Sequence, residues 1–186
     1  ESIAWYRAHG TPWAHAALRE IRAIDGERIV LGGGSELSSA VFSAGLREAR
    51  AHAVAVVAAS AGARVDEEVD RRWTSGHPAE AMFLSALAVA VAEELRERTS
   101  ARIEVDAARG GVAALPRYAP GYEGWGLADQ AALVSVLDDH GPLRVLESGG
   151  LLPQKSTVAA IGLTRRLDLG GSLEGFWCRR RGDGAS

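Results

Sequence analysis

The chain has 186 residues, 47% of them hydrophobic and 24% charged, with a formal net charge of −3. This predicts one domain with a substantial core, and the acidic balance argues against a dedicated nucleic-acid binder, whose phosphate contacts need a basic field. The single cysteine, Cys178, excludes an intrachain disulfide framework and a multi-cysteine metal site, and it fits a reducing, cytoplasmic setting. The longest near-apolar run, Ala81–Ala92, is interrupted by Ser85 and falls short of the roughly 20 residues a membrane span needs.

In chain order, residues 1–24 read as an N-terminal helical segment, because Leu18, Ile21 and Ile24 recur every three residues within Ala16–Ile24. Arg28–Leu31 is an apolar strand, followed by Gly32-Gly33-Gly34. Ser35 is placed to cap a helix from Glu36 to Ala49, with Leu37, Val41, Ala44 and Leu46 toward the core. The glycines lack the Lys-Ser/Thr of a P-loop and the third glycine of a dinucleotide fingerprint, so they read as a turn. His52–Ala59 is continuously apolar, as in a strand buried on both faces. Val65–Trp73 and Ala79–Arg98 have helical periodicity, the second with Phe83, Leu87, Val91 and Leu95 every four residues. After a looser segment, Gly110–Pro116, comes the loop Arg117–Trp125. A helix over Leu127–Leu137 follows, then strands over Leu143–Leu146 and Thr157–Leu163 and a mobile tail over residues 167–186. Short connections between strands, mixed with helices, predict an α+β fold with an antiparallel sheet.

Most candidate chemistry dissolves on inspection. The five histidines, at 9, 15, 52, 77 and 140, show no metal-ligand spacing. Val145–Gly150, an apolar stretch ending in Glu-Ser-Gly-Gly, reads as a strand with a turn. Ser148 and Ser156 have no neighbouring His-acid pair or nucleophile elbow. What remains is Arg117–Trp125 (RYAPGYEGW), with one cation, three aromatics, a proline and two glycines in nine residues, and the later Pro153-Gln154-Lys155-Ser156. Arg117 offers a planar fork for a carboxylate. Tyr118 and Tyr122 offer π faces for a cation and hydroxyls for a polar edge. Two plainer readings stand beside this one: Tyr118 and Trp125 cover the core, and Arg117 pairs with a surface acid.

Arg117-Tyr118-Ala119-Pro120-Gly121-Tyr122 resembles the Arg-x-x-x-Gly-Tyr signature of the S-adenosylmethionine-binding activation domain of cobalamin-dependent methionine synthase. Further landmarks in order are Gly62–Asp66, the helix ending in Glu97-Arg98, Trp125 with its following helix, Leu143–Gly150, and the Pro-x-Lys-Ser at 153–156, so the resemblance covers roughly residues 25–165. It implies one S-adenosylmethionine (SAM)-binding domain whose twisted antiparallel sheet is flanked by helices. By position, Arg117 would hold the methionyl carboxylate and Glu97 the amino end, and Tyr122 would sit near the sulfonium and sugar. The Tyr118 backbone, Pro120, Gly121, Lys155 and Ser156 would complete the cofactor site. The methyl acceptor would be a corrinoid carried by a partner protein. The alternative is an enzyme that consumes SAM itself, with Tyr122 and Glu123 as acid or base. One departure is plain: the strand after Ser156 carries Ala159, Ala160 and Ile161 where the synthase has aromatic residues near its ligand.

Overall fold

The computed structural model describes residues 1–166 and Trp177. Helix α1 (Ser2–His9) is followed by a 13-residue strand, β1 (Trp13–Asp25). Ala16–Ile24 is therefore extended, and the helical expectation for residues 1–24 holds only for α1. The reason is tertiary: β1 is paired along both edges. Trp13–Glu20 bond to the strand β4 (Ala53–Ser60), and Ile21–Asp25 bond to β2 (Arg28–Leu31). Two ladders outweigh the small propensity advantage of a helix, and Leu18 is left 58% exposed. The two-residue β1–β2 turn is Gly26-Glu27, between the paired Asp25 and Arg28, with Gly26 at φ +56°, an angle glycine reaches without a Cβ clash.

Gly32–Ser35 turn the chain into a short strand, β3 (Glu36–Ser38), whose Leu37 pairs with Ile29. Helix α2 (Ala40–Glu48) therefore starts later than expected. Its cap is Ser39, not Ser35: the Ser39 hydroxyl accepts the Phe42 N–H at 3.1 Å. Beyond β4 come α3 (Arg64–Thr74) and α4 (Pro78–Arg109), then β5 (Ala113–Ala114). A 3-10 turn (Leu127–Asp129) leads into the short α5 (Gln130–Ser135), which with that turn stops short of the Leu137 end expected. The strands β6 (Arg144–Val145) and β7 (Leu151–Leu152) form a separate hairpin, and β8 (Ser156–Thr164) is the last element among the described residues. Leu143–Leu146 thus contributes only two strand residues, and they pair with β7.

The main sheet runs β3-β2-β1-β4-β8-β5, every pair antiparallel. At its centre all eight residues of β4 are buried, so its alternating side chains feed two cores. Val54, Val56 and Ala58 join Phe42, Leu46, Leu115, Tyr118 and Trp125 on one face. Ala53, Ala55 and Val57 meet Ile161, Leu163 and the α4 residues Ile103 and Ala107 on the other. Each fully buried valine contributes about 1.5–3 kcal/mol relative to exposure.

Helix α4 has 32 residues and runs past Arg98 by three turns. Its outer face is laced by Glu94–Arg98 at 2.6 Å and Arg102–Asp106 at 4.0 Å. The inward stripe is Ala81, Leu84, Ala88, Ala92, Arg96 and Ser100, one position off the expected Phe83, Leu87, Val91 and Leu95; Phe83 is 72% exposed. Small alanines bring the helix axis close to its neighbours, and the larger side chains are displaced to the flanks.

Most of the tail expected to be mobile, including Cys178 and Arg179–Arg181, lies outside the described residues. Trp177 does not behave as part of a free tail. It is buried against Phe42 and Tyr118, and its indole N–H donates to the Pro116 carbonyl at 2.9 Å.

Candidate functional site

The loop at Arg117–Trp125 begins as a partial strand. The Tyr118 N–H donates to the Ala160 carbonyl at 2.9 Å, and Ala160 returns the bond at 2.8 Å, so the chain lies alongside β8. Alternation then sends Tyr118 and Arg117 to opposite faces. Tyr118 goes into the core, stacked on Phe42 at 6.4 Å and Trp125 at 6.1 Å. Its hydroxyl donates to the Glu123 carbonyl, tying the loop back on itself. The plainer reading of Tyr118 and Trp125 as core cover is therefore correct for their rings.

Past Pro120 the chain turns sharply. Gly121 and Gly124 have φ of +92° and +71°, and the Gly121 N–H donates to the Trp125 carbonyl at 2.9 Å. At Gly124 a Cβ would lie 2.4 Å from Val41 Cγ2, and the Gly124 carbonyl accepts the Ser39 hydroxyl at 3.0 Å. The same serine that caps α2 thus pins the loop. Tyr122 at its apex is 52% exposed, edge-on to Tyr118 at 5.5 Å. A cavity of about 260 Å³ opens here, lined by Tyr118, Tyr122, Glu123 and Trp177.

Arg117 reaches α4 and meets Glu97. Its guanidinium donates to both carboxylate oxygens, one bond being 2.9 Å, in a fork-to-carboxylate pair. Both side chains are partly open to solvent, at 34% and 46%. The surface-acid reading of Arg117 is correct as well, and the acid is Glu97, twenty residues earlier on a different element. Arg96, one residue before Glu97 and buried, also contacts Glu97 at 3.4 Å and pairs with Glu93.

Lys155 and Ser156 stand apart from Arg117. Ser156 is the first residue of β8, four positions before Ala160, or about 13 Å along the strand. Its hydroxyl bonds that of Ser60 at 2.9 Å, and the Lys155 carbonyl accepts from Ala61. Next to them, Asp66 accepts the Gln154 N–H at 2.6 Å; burial raises its carboxyl above the usual range, opposed by that bond and by Lys155. A second cavity of about 440 Å³, between β1, β4 and the end of α4, offers His52 and Asp106 among mostly apolar walls. Among the described residues no helix is long and apolar enough to cross a membrane, and no cluster of potential metal ligands occurs.

The fold is shared with a solved domain. The chain matches "Crystal Structure of the MetH Reactivation Domain bound to AdoHcy" with a TM-score of 0.68 and 14% identity, over 95% of this chain and 67% of that one. That likeness confirms the α+β architecture, a curled antiparallel sheet flanked by helices, expected from the resemblance. No family model matches the chain, and the comparison with curated proteins gives no match.

Two residues at the site escaped the sequence. Trp177 gave no local signal, since the Phe176-Trp177 pair in a Gly- and Arg-rich stretch carries no periodicity. Arg96 did give one: it continues the four-residue series Leu84, Ala88, Ala92, which places it inward.

Proposed function

We propose that this chain binds SAM beside the Arg117–Trp125 loop and presents the methyl group to the reduced corrinoid of a partner protein. The observation that carries the reading is the Arg117–Glu97 pair, partly open to solvent at the start of a glycine-shaped loop, on a fold shared with a solved reactivation domain bound to AdoHcy. A guanidinium and a carboxylate in contact fit a zwitterionic amino-acid end. The ligand carboxylate takes the fork of Arg117 and the ligand ammonium takes Glu97, so two ion pairs replace the one they displace. Tyr122, exposed at the apex, supplies a π face for the sulfonium. Pro120 and Gly121 shape the turn, and Tyr118 holds its backbone on β8. Lys155 and Ser156 enter only as an outer edge of the site. The corrinoid supplies a reduced cobalt nucleophile when present, and the chain contributes orientation and electrostatics.

Incubation of the protein with SAM and a reduced corrinoid tests the reading. Methylcorrinoid and S-adenosylhomocysteine should form in equal amounts, and formation of neither contradicts presentation. A second reading, an enzyme acting on SAM alone, draws on Tyr122 and Glu123 lining the 260 Å³ cavity, where either could move a proton. Its mark is conversion of SAM without any corrinoid.

A further inference from the structure

Helix α4 carries a row of alternating charges that ends at the loop: Glu93, Arg96, Glu97 and then Arg117. Arg96 is the anomalous member. It sits on the buried stripe with Ala88 and Ala92, is 7% exposed, and its Nε has no hydrogen-bond partner. An exposed arginine would serve as well for a simple pair with Glu93, and a buried cation with an unmade bond is costly. Its position has a use once ligand binding is considered. When Arg117 leaves Glu97 for a ligand carboxylate, Glu97 loses its fork and lies on an acidic stretch with Glu93 and Glu94. Arg96 is already in contact with Glu97 from the helix side.

We infer that Arg96 is a positioning residue for the amino-acid end of the ligand. It holds the Glu97 carboxylate in place when Arg117 turns to the ligand carboxylate, so that the ligand ammonium meets an acid that stays oriented. This rests on the SAM-binding reading and names a residue that acts through Glu97 rather than on the ligand.

The test is calorimetric titration of the full chain with SAM, and separately with 5′-methylthioadenosine, which lacks the amino-acid end. Arg96→Gln should weaken SAM about tenfold, as expected for one hydrogen bond to a charged group, and leave 5′-methylthioadenosine unchanged. Arg96→Lys should recover most of the loss. Adding Arg96→Gln to Glu97→Gln should cost nothing further, because the group being held is gone. An unchanged SAM affinity in Arg96→Gln, or the same added loss with and without Glu97→Gln, overturns the inference while wild-type binding stands. A wild-type chain that binds no SAM overturns both readings. Melting curves accompany each variant; if Arg96→Gln unfolds, Arg96→Met fills the same volume without charge and takes its place in every comparison.

Discussion

Gly124→Ala tests how the loop is held. Two costs meet at this position. At φ +71° an L-residue is strained by about 1–2 kcal/mol. The new Cβ would also lie 2.4 Å from Val41 Cγ2 and 3.3 Å from Val41 Cβ, on a branched side chain of α2 that cannot swing aside, and overpacking of this kind costs about 1–3 kcal/mol. The expected destabilisation is therefore about 2–5 kcal/mol, read as a lower urea midpoint at unchanged slope. Val41→Ala removes the obstructing methyl. In a double-mutant cycle it should return about 1–3 kcal/mol and leave the backbone strain behind. A Gly124→Ala variant within about 0.5 kcal/mol of wild type, the usual range for an inconsequential surface change, would refute the close approach of loop and helix. Full recovery by Val41→Ala would refute the backbone contribution.

Arg117→Ala should cost under about 1 kcal/mol of stability, since its pair with Glu97 is partly open to solvent and screened, yet reduce SAM affinity by about 10- to 100-fold through loss of a charge-assisted fork; urea titration and calorimetry on one preparation separate the two. Glu68 is held at about 2, from an ordinary 4.5, by its bonds to Arg71 and then Arg72. Its stabilisation is thus complete above pH 4.5 and is lost as the pH falls toward 2. Glu68→Gln should cost about 3 kcal/mol at pH 7 by leaving Arg72, only 4% exposed, with Glu80 at 3.9 Å as its remaining acid. Urea midpoints taken at pH 7, 4 and 3 should show the mutant and wild type converging in acid; a constant difference would refute the assignment.

Elements whose apolar pattern matches one geometry are legible in the sequence. His52–Ala59 reads as a strand covered on both faces and Val65–Trp73 as a charged amphipathic helix, and the structure has them at Ala53–Ser60 and Arg64–Thr74. β1 was lost because Leu18, Ile21 and Ile24 fit a helix, while the alternation of Trp13, His15, Ala17, Arg19 and Ile21 is diluted by small and charged residues. Gly26-Glu27 before an apolar run is the available hairpin signal, a glycine opening a two-residue loop. The face of α4 was misread because size was taken for burial: alanines fill the tight side, and Phe83 and Met82 lie outside. The loop was legible as a shaped element because its glycines and proline dictate backbone angles locally. The resemblance set Arg117 and Glu97 at the two ends of one ligand, but their direct pairing emerges only in the structure, since no local rule links residues on two different elements. The burial of Trp177 depends wholly on where the chain returns.

Calorimetric titration of the wild-type protein with SAM, repeated in competition with S-adenosylhomocysteine, tests the central claim most directly. The account predicts one saturable site for which the two ligands compete and whose affinity falls in Arg117→Ala. Absence of heat with SAM, or binding indifferent to Arg117, would contradict it.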